Sequence, residues 1–565
     1  GKTRTLTSRL IHLVEHDGIT PGEICALTFT NKAAHEMQSR VEQSLSPQIR
    51  ELFLHDPPSI GTFHSLGAKI LRQEALAVGR RKNFVIFDDH DSFSLVKKIV
   101  KKEGKEIKPS QIASGISRTK NGAVDIADLS GSQKPNERAL YRTFETYEAS
   151  LREYNAFDFD DLIGKVVWIF RNEPDILDRY EKKFRYILVD EYQDVNPKQY
   201  ELIRLLGRGH RNVNVVGDDH QMIYGWRYAN LSIFLGFEND WPGATTVLLE
   251  ENYRSTSDIL RGASAIIRNN RRQKPKQLWT KNEAGSPITL IEAGTEEDEA
   301  RWIASRILEC DRQETSTAIL YRTNAQSRAI EQALIEEGIP YRIFGGIKFY
   351  ERLEVKDIVA ALRYASNPSD EISNDRLKKN FSKKIYRVLT ENILPLTDSS
   401  PVDVIKKFIE ITDYIEWLDK NFENNAERRE NIGELIHFAS RFEKISEFLE
   451  EIALLQTTDS SPKKNITEPV LGSKNKPETP IELMTIHLAK VLEFDTVFVA
   501  GCSEGLLPHA RSIESEDTLE EERRLMYVAM TRARKDLYLS FSDVPSRFLS
   551  EMPEDGFKFT TLLSD

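Results

Sequence analysis

Two stretches far apart in the chain carry residue types suited to phosphate chemistry. Gly1-Lys2-Thr3 is the back half of a phosphate-binding loop, G-x-x-x-x-G-K-[ST]. In such a loop the lysine reaches the β- and γ-phosphates and the hydroxyl ligates Mg²⁺. The second stretch, Tyr186-Ile187-Leu188-Val189-Asp190-Glu191, is an apolar run that ends on two acids. One acid can hold Mg²⁺ while the other takes a proton from water. Taken alone, Asp190-Glu191 fits a strand ending in solvated acids equally well; the lysine–threonine pair decides for nucleotide hydrolysis.

A parallel sheet is needed to position these groups. Tyr186–Val189 is apolar on both faces, as a buried parallel strand is, and open α/β sheets bind ligands beyond the carboxyl ends of their strands. Leu6, Leu10, Ile11, Leu13 and Val14 keep the spacing of a helix leaving the loop. Further strands are predicted at 24–29, 59–64, 213–217 and 246–249, with a charged helical insertion over 84–155. A second α/β block opens near Pro287, with strands at 288–292, 317–321, 341–344, 481–486, 496–500 and 536–541. Helices over 356–475 interrupt it, and 457–480, rich in Ser, Thr, Lys, Pro and Asn, reads as a mobile linker. The fold class is therefore α/β, with two α/β domains each split by a mainly helical insertion.

At 565 residues the chain exceeds a single core, and its 39% hydrophobic and 30% charged content is that of a globular protein. No apolar run approaches the ~18 residues of a membrane span, and no signal peptide is visible. Cys25, Cys310 and Cys502 share no metal-ligand spacing, so a reduced, cytoplasmic setting without membrane contact is expected. The absent initiator Met suggests that the numbering starts part-way into a longer protein. A net charge of −11 argues against coating nucleic acid, but residues 69–108 are basic, and binding would lean on stacking as well as phosphate contacts. Tyr224-Gly225-Trp226-Arg227 offers aromatics that can stack on bases of any sequence.

Eight segments, in order, carry a family likeness: Leu27-Thr28-Phe29-Thr30-Asn31-Lys32-Ala33-Ala34, Gly61-Thr62-Phe63-His64-Ser65, Val189-Asp190-Glu191-Tyr192-Gln193-Asp194, Val216-Gly217-Asp218 with Gln221-Met222-Ile223-Tyr224, Asn252-Tyr253-Arg254-Ser255-Thr256, Leu320-Tyr321-Arg322-Thr323-Asn324, Leu483-Met484-Thr485-Ile486-His487, and Tyr527-Val528-Ala529-Met530-Thr531-Arg532-Ala533. The chain resembles the superfamily-1 DNA helicases of the UvrD/PcrA/Rep type from Gly1 to about Pro553. The resemblance implies two RecA-like P-loop NTPase domains, 1A (1–76 and 157–243) and 2A (244–355 and 476–565). It also implies the insertions 1B (77–156) and a shortened 2B (356–475).

The function so implied is an ATP-dependent 3′→5′ DNA helicase that moves along single strands and opens duplexes in repair, recombination or replication restart. ATP and Mg²⁺ are its cofactors. Single-stranded DNA and single-strand/duplex junctions are its partners, with repair or replication proteins beside them. By resemblance Gly1, Lys2 and Thr3 hold phosphate, Thr3 and Asp190 hold the metal, and Glu191 activates water. Gln221 senses the γ-phosphate, and Arg254 and Arg532 approach it from the two sides of an interdomain cleft. Tyr253 stacks on adenine and Glu493 meets the ribose. Phe29, His64, Tyr224, Trp226, Arg227, Asn324 and His509 line the single-strand path.

The chain departs from the family pattern in places. Leu488 and Val491 stand where the family favours a small residue and glycine, so the loop that carries Glu493 is expected to be reshaped. The 2B hairpin motif is absent after Asn367-Pro368-Ser369-Asp370, only Ser542-Asp543-Val544 separates the last strand from Pro545, and His220 interrupts Asp218-Asp219-His220-Gln221. Two other readings are the motor subunit of a helicase–nuclease complex and a DNA-binding paralogue without coupled hydrolysis. The intact Lys2, Asp190, Glu191, Arg254 and Arg532 speak against the second.

Overall fold

The computed structural model describes the chain except residues 88, 103–107, 311–314, 345–347, 367, 369, 397–398, 450–451, 453–478 and 563–565. The predicted linker at 457–480 therefore falls almost wholly outside the described residues. The chain folds into two units: Gly1–Glu251 with Arg272–Gln277, and Asn252–Arg271 with Leu278–Asp565.

In the first unit four parallel strands lie in the order Ser59–Thr62, Ile24–Thr28, Tyr186–Val189, Val213–Val215. Alternation along the central strands sends Cys25, Leu27, Ile187 and Val189 into one core and Ile24, Ala26 and Leu188 into the other. Helices Phe63–Glu74, Asp161–Asn172 and Pro197–Gly207 supply the first core, and Lys2–Glu15 and Asn31–Ser44 the second. Both faces being covered, every residue of Ile24–Thr28 is buried. That explains why the run lacks polar alternation.

The helices at 89–153 build a smaller core of their own around Ile99, Ile116, Tyr147 and Leu151. The insertion is not wholly helical, because Val85–Phe87 pairs in parallel with Ala156–Asp158. Lys120, 5% exposed at its side chain, joins this layer to helix Asp161–Asn172, with Nζ 2.6 Å from Glu148, 2.6 Å from Asp158 and 2.9 Å from Asp161. Lys165 also reaches Glu148 at 2.5 Å and Asp161 at 3.7 Å, so Lys120→Met would leave Asp158 without its cation and the other two carboxylates with Lys165 alone, and a loss of about 3 kcal/mol is expected. A urea midpoint unchanged from the parent would refute this.

The second unit carries seven parallel strands in the order Tyr341–Ile343, Ile481–Thr485, Thr317–Tyr321, Phe494–Val499, Ala533–Ser542, Ile288–Ala293, Phe557–Thr561. Sequence patterning misses the last strand because its outward residues are exposed. A separate apolar core, centred on Ile358, Phe408, Tyr414 and Leu435, belongs to the helices between Leu353 and Ala439. Where the family hairpin is absent, the chain runs from Asp370 straight into helix Glu371–Asn380.

One predicted strand is corrected: 246–249 is irregular. Its β-forming side chains have no sheet to pack on, and Val247 is 74% exposed. No described helix is long and apolar enough to cross a membrane.

Candidate functional site

Helix Lys2–Glu15 begins against the carboxyl end of strand Tyr186–Val189, which brings the two chemical stretches together. Lys2 Nζ lies 3.0 Å from Glu191, and the Thr3 hydroxyl donates to Asp190 Oδ2 at 3.1 Å. Burial and the Glu191 charge push the Asp190 carboxyl up to about 6, against the pull of Lys2. Glu191 sits in the left-handed region, φ 51° and ψ 42°, a conformation that costs a non-glycine residue on the order of 1–3 kcal/mol. The surroundings hold it there: its N–H donates to Asp190 Oδ1 at 3.0 Å, and Gln193 Nε2 donates to its Oε2 at 2.5 Å.

Gln193 was not singled out from the sequence, although it lies inside the Asp190–Asp194 stretch. It is fully buried, and its carbonyl accepts from the Asp218 N–H at 2.9 Å, so it ties Glu191 to the next strand's loop. A Cβ at Gly217 would come within 2.7 Å of that carbonyl, which accounts for glycine there. On the same loop the Gln221 amide donates to Asp218 Oδ2 at 2.8 Å. Burial would raise the Asp218 carboxyl, but Lys276 and Lys2 prevail and hold it well below the usual range. Lys276 Nζ is 2.6 Å from Asp218. No sequence signal marks Lys276, since only the fold carries it to this loop.

Met222 and Ile223 alone separate Gln221 from the aromatic group. Tyr224 stacks on Phe29 with ring centroids 5.0 Å apart and meets Trp226 edge-on at 6.2 Å. The Arg227 guanidinium lies 4.6 Å over the Trp226 ring, which is 60% exposed. His64 stacks on Phe159 at 3.9 Å, and burial together with Arg227 lowers its imidazole to about 4, so it is neutral at pH 7. Phe159, about half exposed, extends the aromatic row beyond the residues read from the sequence. The first unit therefore unites five of the seven predicted strand-path residues.

The second unit gathers Tyr253, Arg254, Glu493 and Arg532, so the two arginines expected on opposite sides of a cleft belong to one unit. Tyr253 is exposed, and Arg254 Nε donates to Glu493 at 2.6 Å. Arg534 holds the other carboxylate oxygen at 2.6 Å. Burial alone would raise the Glu493 carboxyl, but the two arginines bring it down to about 2. Arg532 is turned inward and is 1% exposed, donating to the carbonyls of Val528 at 3.0 Å and Leu492 at 3.1 Å and also to that of Lys490. The loop before Glu493 is a helical turn closed by Leu492 N–H to Ala489 O at 2.9 Å, with no positive φ at Val491. Asn324 and His509 belong to the second unit, Asn324 donating to Glu427 at 2.7 Å and His509 Nε2 lying 3.7 Å from Glu430.

Residues 1–242 match the UvrD/REP helicase N-terminal domain, and residues 247–416 and 402–543 match the UvrD-like helicase C-terminal domain. The chain belongs to the UvrD-like helicase family. The ATP-dependent DNA helicase PcrA of Bacillus subtilis (strain 168) is 37% identical over 624 residues, spanning 98% of this chain and 82% of that protein. The protein of the same name from Staphylococcus aureus (strain NCTC 8325 / PS 47) is 37% identical over 620 residues, 98% of this chain and 83% of that protein. Both alignments are longer than the 565-residue chain, so these relatives carry residues with no counterpart in this UvrD-like helicase. A solved C-terminal domain described as that of a possible DNA helicase from Lactobacillus overlaps with a TM-score of 0.25 at 14% identity, covering 55% of this chain and 98% of that one, too slight a likeness to build on.

Proposed function

We propose that this UvrD-like helicase hydrolyses ATP to move 3′→5′ along single-stranded DNA and to separate duplex strands, in repair, recombination or replication restart. The observation that carries the reading is the contact of Lys2 and Thr3 with Glu191 and Asp190 at 3.0 and 3.1 Å, on a sheet edge shared with the aromatic row.

Thr3 and Asp190 present two hard oxygen donors side by side, a set that suits Mg²⁺, which binds through one or two protein oxygens and completes its shell with phosphate and water. Bound there, the ion would neutralise charge on the phosphates. Lys2 gives up Glu191 for phosphate oxygens, and Glu191, still oriented by Gln193, takes the proton of the attacking water. Gln221 reports the γ-phosphate to the Tyr224–Arg227 loop. Arg254 offsets the charge that develops on the transferred phosphoryl group, and Arg532 does so once it turns out from its backbone carbonyls. Tyr253 stacks on adenine and Glu493 meets the ribose.

Bases stack on Phe29, Tyr224, Trp226 and Phe159, while Arg227, His64, Asn324 and His509 add polar contacts. Trp226→Ala is expected to weaken single-strand binding by about 1–3 kcal/mol and to lower DNA stimulation of hydrolysis. Fluorescence anisotropy with a labelled oligonucleotide measures this, and unaltered affinity would return Trp226 to a purely structural role. Strand separation on 3′-tailed, 5′-tailed and blunt duplexes tests the function as a whole. Opening of the 3′-tailed substrate alone, and only with ATP, is expected; opening from a 5′ tail, or without ATP, would overturn the reading.

A further inference from the structure

Residues 272–277 form a strap that belongs to the first unit, although the chain on either side, up to Arg271 and from Leu278, belongs to the second. Six residues have little apolar area with which to hold a surface segment in place, and polar contacts do it instead. Lys276 Nζ sits 2.6 Å from Asp218 and also contacts Asp219. The Lys274 N–H donates to Asp219 Oδ2 at 2.7 Å, and Arg272 donates to the Ser232 hydroxyl at 2.6 Å. Gln273 Oε1 meets His220 Nε2 at 2.8 Å. His220 is the residue that departs from the family pattern, and its partner is this strap.

All of these contacts but that of Arg272 fall on the loop whose Asp218 holds the Gln221 amide at 2.8 Å and whose backbone N–H is tied through Gln193 to Glu191. Asp219 is buried and Asp218 partly so, with side chains 2% and 15% exposed, and Lys276 is the cation that touches both. Gln221 is thus bonded to Asp218, and Asp218 to the strap.

We propose that Lys276 is a positioning residue for hydrolysis: through Asp218 it holds Gln221 and Glu191 in register, and the strap carries the state of the phosphate pocket along the chain into the second unit. The inference rests on the ATP-driven helicase reading above and deepens it.

The test compares DNA-stimulated hydrolysis in the intact protein and three variants, measured as kcat and KM for ATP alongside base pairs opened per ATP. Lys276→Gln is expected to lower kcat about 10- to 100-fold, because small misplacements of catalytic groups cost that much. KM for ATP should change by less than about threefold, and base pairs opened per ATP should fall as well. Lys276→Arg, which keeps the charge and the reach, should restore most of kcat. Lys276→Gln leaves the buried Asp219 and the partly buried Asp218 without their shared lysine and lowers stability on that account. The double variant with Asp219→Asn should recover the melting temperature while kcat stays low. Recovery of kcat in the double variant would show that Lys276 only balances charge, and would overturn the proposal. So would a Lys276→Gln kcat within about threefold of the parent, or a loss confined to KM. If the parent itself showed no DNA-stimulated hydrolysis, the helicase reading would fail first and take this inference with it.

Discussion

Glu191→Gln should bind ATP and fail to turn it over, with hydrolysis reduced about 10²- to 10⁴-fold. Glutamine keeps the shape, so the hydrogen bond from Gln193 has a carbonyl to land on and the left-handed backbone is undisturbed. What goes is the anionic oxygen that receives the water's proton. Affinity for ATP should hold or tighten, because Lys2 loses the carboxylate that competes with phosphate for it at 3.0 Å. Equilibrium binding of a fluorescent ATP analogue, paired with steady-state hydrolysis, separates the two effects. Turnover within about threefold of the parent would remove Glu191 as the base.

Arg254→Ala should cost about 10³-fold or more in kcat, the range typical of arginines that meet a transferring phosphoryl group. Its side chain is free to serve in this way, being partly exposed and tethered by Glu493 and one carbonyl. Glu493 would remain paired with Arg534, so the fold around it should persist and the melting temperature should hardly change. Arg532→Ala should differ in kind. Its guanidinium is buried and satisfies the carbonyls of Val528, Lys490 and Leu492, so its removal orphans buried acceptors and should lower stability along with rate. Equal melting temperatures for the two variants would contradict this separation.

The sequence allowed the nucleotide site to be read because its members lie in short runs. Lys2 with Thr3, and Asp190 with Glu191, are adjacent pairs, and the strand that carries the acids is apolar enough to be recognised. Phe29, Tyr224 and Trp226 were likewise legible as members of motifs. Lys276 was not, since nothing in Arg272–Gln277 says that it will lie on Asp218. Phe159 passed as an ordinary residue because exposure is a property of the fold. The run at 246–249 misled for the opposite reason: its residues favour strands, but a strand also needs a neighbour. The inward turn of Arg532 was equally hidden, because its acceptors are backbone carbonyls and carry no side-chain signature.

In the proposed function, ATP turnover is driven by the same surface that stacks bases. The rate of ATP hydrolysis by the intact protein, measured as single-stranded DNA is titrated in, tests this most directly. A rate that climbs steeply and saturates as the strand binds is the expected result. A rate indifferent to DNA, at concentrations where anisotropy shows the strand fully bound, would contradict it.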